Sequence, residues 1–298
     1  MTSTIPEVSS IADSPEARGT VAFAEPTLVI TSDGSGNRLN LWELWRYRHV
    51  LRHMVLRDLS VRYKETVVGV LWAILQPLGM MVIFTLVFGR RGQELHSGDI
   101  PYPVSVFLAL SIWQFVSVSI SRGADSIISN ASIISKIYFC RLVLPLTPIV
   151  VNLVDFTIRI GLLAILMLIF GVVPSINVLL APLLVVIMIL VTTSITFWLS
   201  ALTAVYRDVQ QVVPFIVQAW FFLSPVFYDP VDVIPKDWLW LYYLNPIAGL
   251  ISGFRWVVFG DGSAPWTALA ITTISSTLLF FSGTYVFRRV ERNVVDIL

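Results

Sequence analysis

The sequence predicts an all-α integral membrane fold with six transmembrane helices, an N-terminal amphipathic helix at the membrane interface, and short re-entrant helices on the external side. Three observations support this fold class. Of the 298 residues, 56% are hydrophobic and 13% are charged, whereas soluble domains contain about 25% charged residues. The apolar residues form runs of about 20, the length at which a helix crosses a bilayer. Lys and Arg are concentrated at one end of these runs, as the positive-inside rule requires.

Residues 1–40 differ from the rest of the chain, because they are rich in Ser, Thr, Pro and Gly and contain few apolar side chains. Such a composition buries too little apolar surface to offset the entropy of ordering. The segment also lacks the basic and then apolar regions of a signal peptide. We therefore expect a disordered tail, followed by one transmembrane domain over residues 41–298.

The segment 41–64 predicts an amphipathic helix that lies at the membrane interface. At 100° per residue, Arg46, Arg57 and Lys64 fall within about 40° of one another and form one basic face. Arg62 adds a further cation to the segment. We expect these cations to lie near anionic lipid headgroups on the cytoplasmic side.

Six apolar segments follow this helix, and each is long enough, or nearly so, to cross about 30 Å of hydrocarbon. They comprise residues 67–88, 104–128, 142–170, 178–205, 209–228 and 266–287. If the N-terminus is cytoplasmic, the cytoplasmic flanks hold thirteen Lys and Arg residues and the external flanks hold four. This distribution predicts that both termini are cytoplasmic.

The external region, residues 229–260, contains two apolar runs of seven and thirteen residues, which are too short to span. Runs of that length are typical of re-entrant or interfacial helices, so we expect an external gate there. Trp238, Tyr242 and Tyr243 crowd this region. They form either an interfacial aromatic belt or a platform on which sugar rings pack.

Inside the predicted spans, Asp155 and Arg159 are the only oppositely charged pair. Their i, i+4 spacing lets the side chains meet, and intramembrane charges usually face the bundle interior or a wet cavity. The pair therefore either lines a transport path or fixes helix packing. Aromatic residues within the spans are further candidates for a path: Trp72, Trp113, Trp220 and Phe222.

Several classes of site are disfavoured. A Walker A loop requires Lys after Gly, but the three lysines follow Tyr63, Ser135 and Pro235. One cysteine excludes an intrachain disulfide and a Cys-based zinc site, and we expect no metal. Net charge of +1 does not suggest a nucleic-acid partner. A cluster of external aspartates is most simply turn chemistry, although a carboxylate site is the alternative: Asp229, Asp232 and Asp237.

Four segments resemble the ABC-2 type permeases that export cell-surface polysaccharides such as O-antigen, capsule, galactan and teichoic acid. These segments are "LRDLSVRYKETVVGVLWAILQPLGMMVIFTLVFG", "NASIISKIYFCRLVLPL", "YRDVQQVVPFIVQAWFFLSPVFY" and "LNPIAGLISGFR". They occur in the family's order and extend the resemblance over residues 41–298.

The resemblance implies a homodimeric permease in the bacterial inner membrane, with two copies of a separate ATPase subunit that carries ATP and Mg²⁺. The chain itself would then be neither an enzyme nor a cofactor-binding protein. The substrate would be a polysaccharide linked to polyprenyl or another lipid carrier, O-antigen foremost. The alternatives are a membrane enzyme that modifies lipid-linked sugars and an ABC-2 exporter of a small lipid or drug.

The resemblance also implies which residues contact the ATPase and which form the gate. The coupling residues would be Asn130, Lys136, Tyr138, Arg141, Arg207 and Asp208. Tyr228 and Arg255 would join the external aromatic residues at the gate. The family commonly has Pro where this chain has Cys140, so the end of the coupling segment is less sharply defined here. Lys136 and Arg141 are otherwise ordinary positive-inside flanks.

Overall fold

Helices are the only regular structure in the part of the chain that the computed structural model describes, which comprises residues 45–64, 69–94, 100–136, 139–260 and 263–291. The two helices at the N-terminal end are α1 (Arg48–Lys64) and α2 (Gly69–Glu94). The remaining α-helices are α3 (Tyr102–Ala124), α4 (Ser126–Ser129), α5 (Ala131–Ile134), α6 (Val143–Ile169), α7 (Ala181–Val205), α8 (Val209–Leu223), α9 (Pro230–Val233), α10 (Leu239–Tyr242), α11 (Pro246–Phe259) and α12 (Trp266–Glu291).

Four helical stretches in these ranges are long and apolar enough to cross a bilayer. Three are α3, α6 and α12, and the fourth is α7 together with the 3₁₀ turn before it, Ile176–Val205. They have 23 to 30 residues, and at about 1.5 Å per residue each exceeds or approaches the hydrocarbon thickness. The prediction of a multi-pass, all-helical membrane fold is therefore supported, although six full spans are not established.

The second predicted span, residues 104–128, is wrong at its end, because α3 stops at Ala124. Side chains that follow donate to backbone carbonyls one turn earlier, first at the end of α3 and then within α4. Ser126 Oγ donates to the Gly123 carbonyl at 2.7 Å, and Asn130 Nδ2 donates to the Ser126 carbonyl at 2.8 Å. The chain therefore turns at Asp125 and continues as the short helices α4 and α5.

The fifth predicted span, residues 209–228, is also too long, since α8 has 15 residues and ends at Leu223. The reason is local. Ser224 precedes Pro225 and is extended, with φ −101° and ψ 146°, as expected for a residue before proline. A 15-residue helix is about 22 Å long, which is less than the hydrocarbon core.

The other predicted elements need smaller corrections. The helix of the first span begins by Gly69 and continues to Glu94, but its apolar part is Ile74–Gly89. The predicted interface helix corresponds to α1, which packs along α6. Residues 1–44 lie outside the described residues, so neither the predicted tail nor the start of the interface helix is tested.

Helix α3 lies at the centre of the bundle. Most of its side chains are buried, and it contacts α2, α6, α7, α8 and α11. Helix α12 packs mainly along α7, and α11 packs against both of them. The external region predicted for residues 229–260 contains α9, a 3₁₀ turn, α10 and α11, so short helices are present there as expected.

Two glycines allow close helix approach. A Cβ on Gly123 would collide with Thr196 of α7, and one on Gly249 would collide with Thr272 and lie 2.9 Å from the Ala268 carbonyl oxygen of α12. Small residues at such crossings are the usual means by which membrane helices pack. Gly161 differs, because no atom lies within 4 Å of the position of its added Cβ.

We predict that Gly249→Ala destabilises the protein by about 1–3 kcal/mol, because the backbone of α12 must move away. The matched control Gly161→Ala is expected to be neutral or stabilising by up to about 1 kcal/mol, since it raises helix propensity without a clash. Thermal unfolding in detergent, followed by size exclusion, measures both. Equal melting temperatures for the two variants would contradict this packing.

Candidate functional site

A buried carboxylate joins α1 to the membrane helix α6. Asp155 is fully buried, and Arg62 of α1 places Nη1 2.5 Å from its Oδ2 atom. The Tyr63 hydroxyl donates to Oδ1 of the same carboxylate. A buried carboxylate is tolerated only when charge and hydrogen bonds compensate its desolvation, and α1 supplies both.

The contacts continue into α3. Arg62 Nη1 also donates to Asn152 Oδ1 at 3.0 Å, and Asn152 Nδ2 donates to Ser119 Oγ at 3.0 Å. We call Arg62, Tyr63, Asn152, Asp155 and Arg159 the Asp155 cluster. Through it, a movement of α1 would be transmitted to α6 and α3.

Arg159, the partner predicted from the i, i+4 spacing, is the more distant cation. Its Nη2 atom lies 3.9 Å from Asp155 Oδ2, and its Nη1 donates to the Ser111 carbonyl at 3.3 Å. The prediction that Asp155 and Arg159 meet is confirmed, but Arg62 makes the shorter contact. Both charged residues are buried within the chain, as expected for a packing role.

The basic face predicted for α1 does not include Arg62. Arg62 lies about 140° around the helix from Arg57, and so it points toward α6 while Arg46 and Arg57 are exposed. Burial, followed by the hydrogen bond to Asp155, raises the pKa of Tyr63 to about 12. Tyr63 is therefore a neutral donor at physiological pH. The side chain of Lys64 lies outside the described residues.

The predicted coupling residues gather at one end of the bundle. We call this the basic end and define it by α1, residues 125–136 and 139–141, and the turn 206–208. Asn130 lies between α4 and α5, and its Oδ1 accepts from Arg57 Nη2 at 3.3 Å. Lys136, Arg207 and Asp208 are exposed. Tyr138 lies outside the described residues.

Arg141 is engaged within the chain. Its guanidinium donates to the Glu291 carbonyl at the end of α12, and its backbone N–H donates to Glu291 Oε1 at 3.3 Å. A cation at a helix C-terminus is electrostatically favourable. Cys140 beside it is buried in an apolar cluster with Phe139, Leu142 and Phe287. Arg141 therefore anchors the segment, while Lys136 is available at the surface.

A cavity of about 370 Å³ opens between α1, α6 and the segment after α3. One carboxylate oxygen of Asp125 is buried without a hydrogen bond inside the described part of the chain. Burial raises the pKa of Asp125, and a hydrogen bond from Gln210 of α8 opposes the rise. The lining of this cavity carries charges of both signs, from Arg57, Asp58, Arg122 and Asp125, and includes the neutral amide of Asn130.

The opposite end of the bundle is held by hydrogen bonds around Asn245 and Arg255. Asn245 Oδ1 accepts from Trp220 Nε1 at 3.0 Å and from the Ile247 N–H at 3.1 Å, which caps α11. Arg255 donates to the Tyr228 carbonyl at 2.9 Å and to the Val226 carbonyl at 3.2 Å. Both residues therefore tie the chain after α8 to α11, and Arg255 is buried there.

The aromatic residues predicted for the path and the gate differ in exposure, and Trp220, Tyr228 and Tyr242 are half-buried. Tyr243 and Trp113 are buried, whereas Trp238 and Phe222 are about 60% exposed. The Tyr228 and Tyr242 hydroxyls lie 2.8 Å apart. Burial and this hydrogen bond raise the pKa of Tyr242 well above its usual range, so it remains neutral. The side chain of Trp72 lies outside the described residues.

An aromatic cluster that sequence reasoning missed joins α2 to α8. Phe84 stacks on Phe88 and on Phe227, with ring centroids 5.9 and 5.7 Å apart. Phe221 of α8 contacts Trp113 of α3 at 5.5 Å. The i, i+4 spacing of Phe84 and Phe88 was the sequence signal for this cluster.

Asp229, one of the three external aspartates, accepts a hydrogen bond from the Val231 N–H at 3.1 Å. This is the turn chemistry that the sequence predicted for it.

We predict that Asp155→Asn and Arg62→Gln each destabilise the protein by about 3 kcal/mol, because each removes the closest charged partner of a partly or fully buried charge. The double variant should lose less than the sum of the single losses. Tyr63→Phe, which removes one hydroxyl, should cost about 1 kcal/mol. Thermal unfolding in detergent measures all four, and strictly additive losses would show that Arg62 and Asp155 do not interact.

The chain is similar in sequence to a family of membrane transporters and to several of their characterised members. The family described as ABC-2 type transporter matches residues 49–259. The O-antigen export system permease protein RfbA of Myxococcus xanthus is 30% identical over 243 residues, which is 80% of this chain and 91% of that protein. RfbA of Klebsiella pneumoniae is 28% identical over 81% of this chain and 92% of its own length. The polysialic acid transport protein KpsM of Escherichia coli is 24% identical over 80% of this chain and 92% of its own length.

These matches confirm the family resemblance drawn from four sequence segments. They include α1, the basic end, and the region between α8 and α11 in a single continuous match. A multi-pass membrane architecture is shared with this family. The chain is therefore a member of the ABC-2 type transporter family.

Proposed function

We propose that this chain is the transmembrane subunit of an ATP-driven exporter that moves a lipid-linked polysaccharide, O-antigen foremost, from the cytoplasm across the bacterial inner membrane. The observation that carries the proposal is the extent of similarity. Two O-antigen permeases are matched over 91% and 92% of their length, so the likeness is not limited to one helix pair. The polysialic acid transport protein extends the same relation to a second polysaccharide.

The working unit in this proposal is a homodimer with two copies of a separate ATPase. The absence of a Walker A sequence from these 298 residues supports an external source of energy. The dimer is supported by apolar side chains that α2 and α8 leave exposed, including Leu86, Val87 and Phe215. With α2 and α8 counted as additional spans beside the four long helices, each subunit has six, and both termini are cytoplasmic.

Energy transfer in this proposal begins at the basic end. Closure of the ATPase dimer pushes on residues 125–136, which contact α1 through Arg57 and Asn130. Helix α1 passes the movement to α6 and α3 through Arg62 and Asp155. No covalent chemistry is required of this chain, since ATP and Mg²⁺ bind the ATPase.

The direct test is reconstitution of the chain with its ATPase in sealed vesicles, followed by ATP-dependent entry of lipid-linked polysaccharide into the lumen. In cells, deletion of this chain should cause the polymer to accumulate in the cytoplasm. Modification of a lipid-linked sugar by the purified chain alone would favour a membrane enzyme. Transport restricted to a small lipid or drug would favour an ABC-2 exporter of such compounds.

We predict that Lys136→Glu lowers ATPase-coupled export by about tenfold without changing thermal stability, because Lys136 is exposed and its charge is available to a partner. Arg141→Glu should lower both export and stability, because it replaces the guanidinium that donates to the Glu291 carbonyl at the end of α12 with a carboxylate. Arg52→Glu, an exposed cation on α1, controls for loss of positive charge. Unchanged export and unchanged ATP turnover in Lys136→Glu would refute the coupling role of that residue.

The proposed orientation is testable with single cysteines, because the natural Cys140 is buried and should react slowly. Asp237→Cys should react with a membrane-impermeant maleimide in intact spheroplasts, since Asp237 is exposed in the external region. Ser132→Cys, exposed at the basic end, should react only after permeabilisation. The reverse pattern would invert the topology.

A further inference from the structure

Three glutamines from three different helices line one cavity. They are Gln76 of α2, Gln114 of α3 and Gln218 of α8, and the cavity has a volume of about 210 Å³. Its aromatic wall is formed by Trp113 and Phe221, whose ring centroids lie 5.5 Å apart. We call this the glutamine cavity.

The glutamine cavity lies in the middle section of the bundle. Gln114 is twelve residues from the first residue of α3 and ten from the last. At 1.5 Å per residue it is therefore about 18 Å from one end of the helix and about 15 Å from the other. A span of this length places Gln114 near the bilayer midplane. Gln114 is half-buried, whereas Gln76 and Gln218 are exposed at the surface of the chain, so the cavity opens on the face that α2 and α8 form.

The three side-chain amides make no hydrogen bond within the residues that the structure describes. Each amide offers two donors and one carbonyl acceptor. Unsatisfied polar groups are strongly disfavoured at membrane depth, and polar side chains there mark substrate or ion pathways. The arrangement therefore calls for an occupant that both donates and accepts hydrogen bonds.

The lining narrows the chemistry of that occupant. No Asp, Glu, Lys or Arg lies among the lining residues, so the cavity offers no charge to bind an ion. An acyl chain would leave the amides unpaired. A sugar unit fits both parts of the wall, because its hydroxyls pair with planar amides while its C–H face packs on an indole ring. The volume equals that of about seven water molecules, which suits one ring at a time.

We infer that the glutamine cavity is a binding subsite for uncharged, hydroxyl-rich sugar units of the glycan in transit. Gln76, Gln114 and Gln218 hydrogen-bond the hydroxyls, and Trp113 supports the ring. This inference rests on the proposed export function and adds to it the place where the sugar is held and the groups that hold it.

Photo-crosslinking in the full complex tests the inference directly. p-Benzoylphenylalanine is introduced in place of Gln218, cells are supplied with radiolabelled glucose, and the chain is purified under denaturing conditions after irradiation. The matched control carries the same probe in place of Ile216, which is exposed like Gln218 but lies about 160° around α8 from it. Radiolabelled glycan on the chain with the probe at 218, and none at 216, supports the inference. The inference is overturned if neither position is labelled or if both are labelled equally. It is also overturned if the probe at 218 crosslinks only to lipid or to a second copy of the chain.

Substitutions provide a second, independent readout. Gln114→Leu and Gln218→Leu should each lower export by about three- to tenfold, the range expected when one or two hydrogen bonds to a substrate are lost. Their thermal stability should be unchanged or higher, because the amides have no partner inside the chain. Gln211→Leu should export normally, because Gln211 is an exposed glutamine of α8, like Gln218, but does not line the cavity. A loss of stability parallel to the loss of export would instead indicate a structural role and overturn the inference.

Failure of the export function and failure of the sugar-binding subsite give different results. If the unmodified complex moves no polysaccharide into vesicles, the export function fails and the subsite fails with it. If the unmodified complex exports and the Leu variants export at the same rate, export stands and only the subsite is lost.

Discussion

Burial of the Asp155 carboxylate is the constraint on which much of the arrangement depends. A carboxylate among apolar helices must be compensated by cations and donors, and Asp155 draws them from α1 and from its own helix. Because Arg62 and Tyr63 come from α1, the compensation also fixes where that helix lies against α6. The Asp155 cluster is thus both a packing device and the mechanical link that the proposed coupling uses.

At the far end of the bundle, hydrogen bonds from side chains to backbone carbonyls take the place of charge pairs. Helix α8 stops early at Ser224, and the chain that follows has carbonyls without helical partners. Arg255 donates hydrogen bonds to the carbonyls of Val226 and Tyr228, and Asn245 donates one to the carbonyl of Leu223. Because α8 ends at Leu223, the chain turns there, and hydrogen bonds from Arg255 and Asn245 hold the residues that follow against α11.

The proposed export function requires groups that can contact a substrate, and groups without intramolecular partners are the candidates for that contact. The Asp155 cluster and Arg255 are occupied by contacts inside the chain, so they are poor candidates for binding glycan. The amides of the glutamine cavity and the exposed ring of Trp238 are among the groups that remain available. A path of neutral amides and rings would hold uncharged sugars weakly and release them again, as transport needs.

The sequence by itself determined the membrane class, the four long apolar helices and the family, because composition, run length and local motifs are properties of the chain alone. It also placed Asp155 one turn from Arg159, since i, i+4 neighbours on a helix are adjacent. It misjudged the ends of two spans, where the Ser126 side chain and the Ser224–Pro225 pair overrode hydropathy. Only the tertiary structure decided that Arg62 is the closer partner of Asp155, 93 positions away, and that three glutamines from α2, α3 and α8 share a cavity. The physical reason is that periodicity specifies which face of a helix a residue occupies, whereas the neighbour that this face meets depends on how the helices pack.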